Sequence, residues 1–315
     1  MSSEIRTITW SGGPTGDYTT DGTHDETEIN TAMSWANSNP GNILKMLGTG
    51  NDNSPHLYNI EGQIKIANNV TWMAEAGVKL WVPDGACGTS PDDCIFPNGT
   101  PVIGQLNAYV ANVEIYGFTV SGNCNNQSTK LGYAHGVNQS AGSGCERLFG
   151  FKGASGSGTK CTNIYIHDMV AVDSFGEFVH IMFGRGNIRI ANCYASNHQH
   201  DAVMWIEVDG DGNEITNSTF YGITDSCVRL DNCKNVPVHD CDMFAYSGDH
   251  NNGAAKYGHN GMQIANEANK SLLTDGIQVY NCYFEGPSLN GIWINDQLKT
   301  AGANSQSIYI HHCKF

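Results

Sequence analysis

The fold class expected from the sequence is all-β: a parallel β-helix of about 24 residues per coil with an N-terminal capping helix, and three observations predict it. First, a short motif of an apolar residue, any residue, a polar residue and then often cysteine recurs as IHDM, IANC, ITNS, VHDC, VYNC and IHHC. Its third residues are Asp168, Asn192, Asn217, Asp240, Asn281 and His312, at spacings of 24, 25, 23, 41 and 31. Self-similarity at this period marks a solenoid, and Gly, Asn and Asp at the turns favour stacked strands over helical repeats. Leucine-rich repeats share the period but need regularly placed leucines, which this region lacks. Second, nine residues after Asp168, Asn192, Asn217 and Asn281 stand Glu177, Asp201, Ser226 and Asn290, which lead EFVHI, DAVMW, SCVRL and NGIWI. Third, only 15% of residues are charged and glycine occurs 37 times, a composition suited to a turn-rich β protein.

The elements follow in order. TDGTHDETEINTAMSWANSNP has an acidic start, Ile29, Met33 and Trp35 near helical spacing, and a stop at Pro40, which predicts a helix over Asp25 to Asn37. With the first strands, to residue 60, it caps the exposed end of the core, as a solenoid requires. Regular coils then fill 110–315 of a single domain, VEIYGF placing Gly117 in the motif column. In the coil of Asp240 the second strand starts only at Asn260, so an inserted loop is expected near 247–257, on the binding face. At a period of two, Val179, Val203, Val228, Met262 and Ile292 point inward, as do Ile181, Trp205, Leu230, Ile264 and Ile294. Between them lies an outward column of His180, Met204, Arg229, Gln263 and Trp293. Cys193, Cys241, Cys282 and Cys313 read as an inward ladder of small apolar thiols. The chain closes on IHHCKF in mid-coil, so either another element covers that end or the chain is a fragment of a longer protein.

A net charge of −15 with only 16 Lys and Arg, scattered, excludes a nucleic-acid binder. An acidic polysaccharide stays admissible if a few cations act at close range, and Arg185, Arg189, Arg229 and Lys256 are available. No apolar run spans a bilayer, and Met1 to Ile8 has no signal-peptide pattern. The eleven cysteines contain no CxxC. Cys87 with Cys94, and Cys145 with Cys161, bracket loops and could pair in an oxidised protein. No cofactor is expected, with calcium the one metal the sequence leaves open. DGDGNE places Asp209, Asp211 and Asn213 like the first ligands of a calcium loop, but Glu214 stands at the sixth position and Phe220 at the twelfth, and a Gly/Asp turn between coils explains the run.

Because coils stack about 4.8 Å apart, equal positions in successive coils are neighbours. Glu177 and Asp201 then share one column, His200, Asp225 and His259 the column before it, and His180 and Arg229 stand beside them. Glycoside hydrolysis needs two carboxyl groups flanking the scissile bond. Glu177, Asp201 and Asp225 supply three; neighbouring carboxylates raise one another's pKa, which retains a proton donor, while His200 or Arg229 holds another ionised. Asp201 is the foremost candidate; the structural alternative is that Asp201 and Asp225 cap turns through backbone N–H groups. A lyase would use His200 or His259 as base and Arg229 as clamp for a uronate carboxylate. His180, Gln263, Lys256 and Trp293 complete the expected substrate contacts, Trp293 as a sugar platform; Trp205 belongs to the core, and Tyr257 fits either setting.

DGTHDETEINTAM, VEIYGFTVSGN, IYIHDM, HDAVMWI, SCVRLDNCKNVPVHDC and GHNGMQI together resemble the archaeal disaggregatase family of methanogens, within the pectate-lyase-like β-helix group. Ala202 departs from that pattern, which has glycine after His-Asp. The resemblance implies a right-handed β-helix, an extracellular or cell-surface location, and breakdown of methanochondroitin, an acidic heteropolysaccharide of glucuronic acid and N-acetylgalactosamine, with dispersal of cell aggregates. The sequence thus points to a polysaccharide depolymerase, a hydrolase ahead of a lyase. The other class is a non-catalytic glycan-binding module of adhesin or tail-spike type.

Overall fold

The computed structural model describes residues 3–48, 55–86, 101–106, 108–126, 147–153, 160–174, 176–198, 200–223, 225–245, 260–267, 270, 272–286, 290–296 and 306–315. Its strands form three parallel sheets of eleven, eight and seven strands, here sheets one, two and three in the order a coil visits them. One coil shows the pattern: Ile188–Ala191 lies in sheet one, Tyr194–His198 in sheet two and Val203–Ile206 in sheet three, after which Glu214–Thr216 re-enters sheet one beside Ile188–Ala191. The chain is a right-handed parallel β-helix, the hand strongly favoured for parallel crossovers.

The strand in sheet two was not expected. The motif and its partner nine residues later are the strands of sheets one and three, and the segment between them carries too few apolar residues for an alternation to stand out. VAVDS, YASNH and TFYGI each place one small or aromatic residue inward at the shared position, Ala171, Ala195 and Phe220, all buried.

The motif column is a column of left-handed turns. Asp168, Asn192, Asn217, Asp240, Asn281 and His312 all have φ between 48° and 56°. Asn and Asp tolerate this region because their short polar side chains bond locally. Gly117 takes the same place with φ +86°, and a Cβ there would lie 2.7 Å from the Ala74 carbonyl oxygen. A second left-handed column precedes sheet one. There the side-chain amides form a ladder: Asn112 donates to Asn69 (2.6 Å), Asn163 to Asn112 (2.7 Å) and Asn187 to Asn163 (2.9 Å). Each rung ties one coil to the next beside inter-coil backbone bonds such as that from the Asn163 N–H to the Gly186 carbonyl, 3.2 Å.

A contiguous buried cluster runs from Ile8 to Phe284. The inward columns fall as expected: Val179 pairs with Val203, Val203 with Val228, Val228 with Met262 and Met262 with Ile292. Ile294 departs from expectation at 47% exposure, because its strand, Asn290–Asp296, pairs on one side only. The cysteine ladder is inward: Cys193, Cys241 and Cys282 are buried with free thiols, and Cys313 packs against the core. Burial pushes the Cys193 thiol up to about 12, consistent with a packing role. Cys161 also carries a free thiol; Cys87, Cys94 and Cys145 lie outside the described residues.

The helix spans Glu26–Ser38 and buries Ile29, Ala32, Met33 and Ala36 against the first strands of sheet one. Asp25 sits at its N-terminus but spends its carboxylate on the Gly22 and Asn59 N–H groups, which anchors the helix to the neighbouring turn. The loop expected near 247–257 lies outside the described residues. Among the described residues no helix is long and apolar enough to cross a membrane.

Candidate active site

The turns leading into sheet three gather the ionisable residues. Glu177 opens the strand Glu177–Met182, Asp201 stands two residues before Val203–Ile206, and Asp225 one residue before Ser226–Asp231. Because Val179 pairs with Val203, Glu177 and Asp201 occupy equal positions in successive coils. The Nδ1 of His200 lies 3.2 Å from Glu177 Oε1 and 3.3 Å from Asp201 Oδ2, and its Nε2 lies 3.7 Å from Asp225 Oδ2. One imidazole therefore sits among three carboxyl groups. His180 Nδ1 stands 3.2 Å from the same Glu177 Oε1, and Arg147 donates to Glu177 Oε2 at 3.2 Å.

All of these acids and imidazoles are buried, Asp201 completely at 0% exposure. Burial by itself would raise Glu177, but the Arg147 guanidinium and the His180 and His200 rings outweigh it and hold its carboxyl well below the usual range. Burial raises Asp201 to about 7; His200 opposes the rise and Asp225 adds to it. His200 feels burial in the opposite sense, yet Asp201, Glu177 and Asp225 overcome it and raise the ring to about 9. Burial lowers His180 to about 4, helped by Arg147, so this ring is neutral near pH 7. Two adjacent carboxyl groups are thus driven in opposite directions, the usual physical basis for an acid and its ionised partner.

The turn-capping alternative is also realised in part, since Asp201 Oδ1 accepts the Ser226 N–H at 3.0 Å. Among the described residues the other oxygen, Oδ2, is buried without a hydrogen-bond donor.

The expected outward column is present, with His180, Met204, Arg229, Gln263 and Trp293 in register on sheet three. It is not an open groove floor: His180, Met204 and Gln263 are buried, and of this column Trp293 alone is substantially exposed, at 40%. Arg229 donates to Asp231 Oδ2 through Nε (2.8 Å) and lies 2.8 Å from Glu267 Oε1 through Nη2. Its charge is spent on these two acids, which argues against its service as a clamp for a uronate. His259, Lys256 and Tyr257 lie outside the described residues, and Trp205 is fully buried in the core.

Arg147, Asp231 and Glu267 belong to the cluster but were not anticipated. Asp231 was legible, two residues beyond Arg229 on one strand and hence on the same face. Arg147 pairs with Glu177 across the ladder, but it stands 30 residues after Gly117 instead of nine, so the constant interval did not lead to it. In DGDGNE, Asn213 accepts the Ile188 N–H and donates to the carbonyls of Asp209 and Gly210, while Lys160 donates to Asp209 at 3.1 Å. The run is a turn between coils held by its own backbone.

Compared with family models and with curated proteins, the chain matches none. Solved structures similar to it include a Family 28 exopolygalacturonase of Yersinia enterocolitica, at 10% identity and a TM-score of 0.48, with 99% of this chain and 70% of that one covered. An endo-xylogalacturonan hydrolase of Aspergillus tubingensis matches at 11% identity and 0.46, covering 98% and 92%. The A-module of the mannuronan C-5 epimerase AlgE6 of Azotobacter vinelandii matches at 13% identity and 0.39, covering 93% and 96%. These are parallel β-helix proteins of the pectate-lyase-like group. At such identities and TM-scores none of them carries over to the chemistry of this chain.

Proposed function

We propose that the protein is a polysaccharide-cleaving glycoside hydrolase in which Asp201 is the proton donor and Glu177 the ionised partner. The observation that carries this reading is the pair of adjacent buried carboxyl groups bridged by His200 and driven to opposite protonation states. One carboxylate oxygen of each lies within 4.8 Å of the other. Inverting enzymes separate their carboxyl groups by roughly 6.5–9.5 Å to admit a water, whereas retaining ones hold them about 5–5.5 Å apart. The closest approach of the two groups falls short of the inverting range and lies nearer the retaining one, and this reading takes Glu177 as nucleophile with retention of anomeric configuration. Asp225, with Asp201 and Glu177, helps keep His200 charged, and the ring helps hold Glu177 ionised in the free protein. Glu177, His200, Asp201 and Asp225 are each buried in the protein alone, so this reading requires the side chains over them to shift when a glycan binds.

The resemblance at 113–123, 200–206 and 226–241 supplies the substrate: an acidic, amino-sugar-containing cell-surface heteropolysaccharide of the methanochondroitin type, whose cleavage disperses cell aggregates. Trp293 is the sugar-stacking platform of this reading. Mass spectrometry of products from methanochondroitin and chondroitin, with ultraviolet absorbance followed in parallel, tests it. Saturated oligosaccharides support the hydrolase. Products lighter by one water with rising absorbance would establish a lyase, against which the engagement of Arg229 by Asp231 and Glu267 already counts.

A second reading is favoured by the burial of Glu177, His200, Asp201 and Asp225 together with the bond from Ser226 to Asp201. In it the cluster is a structural network and the chain a glycan-binding module. Retention of either polymer on an affinity column with no cleavage would make this the better account.

A further inference from the structure

The donor atoms around His200 are spaced as a small tetrahedral cation would space them. Zinc bonds of about 2.0–2.1 Å to nitrogen and oxygen imply ligand-to-ligand separations of roughly 3.3 Å. The separations from His200 Nδ1 are 3.2 Å to Glu177 Oε1 and 3.3 Å to Asp201 Oδ2, and one donor atom of each residue lies within 4.8 Å of the other two. Among the described residues, Asp201 Oδ2, on a fully buried side chain, has no hydrogen-bond donor.

The groups behind these atoms are those a metal site needs to orient its ligands. A ligating histidine commonly turns its second nitrogen to a carboxylate; here His200 Nε2 faces Asp225 Oδ2 at 3.7 Å. Arg147 holds the second oxygen of Glu177 at 3.2 Å and the Ser226 N–H holds that of Asp201 at 3.0 Å. One imidazole and two carboxylates neutralise a divalent ion and leave a fourth position for water, a donor set that suits zinc better than calcium or magnesium.

We propose that Glu177, His200 and Asp201 form a binding site for a zinc-type divalent cation, and that filling it blocks the acid–base pair. Binding rests on geometry alone. The block rests on the hydrolase reading, because lone pairs committed to a cation can neither attack a sugar nor deliver a proton.

The test is uptake of Zn²⁺ and Co²⁺ by the intact metal-free protein, read by calorimetry and by the visible spectrum of bound Co²⁺, with turnover measured on the same samples. The expected result is one ion per chain, a four-coordinate Co²⁺ spectrum without thiolate charge transfer, and loss of at least nine-tenths of turnover at saturation. Asp201→Asn should abolish uptake. Should that variant fold poorly, Asp225→Asn, which keeps all three ligands, should weaken uptake 10–100-fold, and Asp211→Asn in the distant turn should change nothing. Absence of stoichiometric uptake, or uptake indifferent to Asp201 and Asp225, would overturn the site whatever the turnover does. Uptake with turnover unchanged would leave the site standing and remove the block, and with it the roles of Asp201 and Glu177 in hydrolysis.

Discussion

At the scale of single residues, His200 decides the behaviour of its neighbours. Its hydrogen bond adds to Arg147 and His180 in holding Glu177 down, and its charge keeps Asp201 below where burial alone would carry it. Asp201→Asn keeps the acceptor for Ser226 but cannot give up a proton, so turnover should fall about 10²–10⁴-fold with glycan retention on a column preserved. Arg147→Met removes the strongest influence lowering Glu177, so the acid limb of the rate profile should move to higher pH. Stability against pH follows from the same groups. His180 and His198, each lowered to about 4, bind protons only when unfolded between that value and 6.5, which makes stability rise with pH across that interval. Asp201 opposes them between 3.8 and about 7, since its folded form holds the extra proton. From 6.5 to about 9 His200 adds a loss, because its folded form keeps a proton the unfolded chain has released. Among these four groups two rising contributions meet one falling, and Asp231, also raised by burial, adds a fall at the acid end. Above 6.5 His200 and the raised His239 add losses, so a maximum of thermal stability is expected near pH 6.5, checked by melting across pH 4–9. The meeting of Glu177, His200, Asp201 and Asp225 was legible in the sequence, because constant spacing translates into columns. Their burial was not: the repeat tells which way a side chain leaves the sheet, not what lies over it.

At the scale of elements, the turns carry more of the fold's specificity than the strands do. Asn163 both accepts from Asn187 and donates to Asn112 while holding φ +52°. Asn163→Ala should cost about 1–2 kcal/mol in urea unfolding, from two partly exposed hydrogen bonds and the left-handed backbone together. Asn163→Gly should cost less, because only the bonds are lost. The turn column at Asp168, Asn192 and Asn217 was readable because Asn and Asp recur there for a steric reason. The strands of sheet two were not, since the residue at their shared inward position varies from Ala171 to Phe220 to Met243 and the other buried positions hold Ser174, His198, Ile223 or Ala245, which leaves no repeated pattern to detect.

At the scale of the whole molecule, each coil pairs only with the coils before and after it, so stability is close to a sum of coil interfaces and depends on what closes the first one. Met33 lies in that closure, buried between the helix and the core. Met33→Ala should cost about 2–5 kcal/mol, read as a lower urea midpoint at unchanged slope. The left-handed columns also limit how such a chain can change its length over generations. A single residue added within a strand turns the side chains beyond it inside out, whereas one added in a turn is absorbed, as spacings of 24, 25 and 23 residues show, and duplication of a complete coil restores every column. Duplication is harmless over most of the stack, but between Glu177 and Asp201 it would drive a spacer through the cluster. Growth of this lineage by copying coils is therefore open on either side of His200 and barred at it.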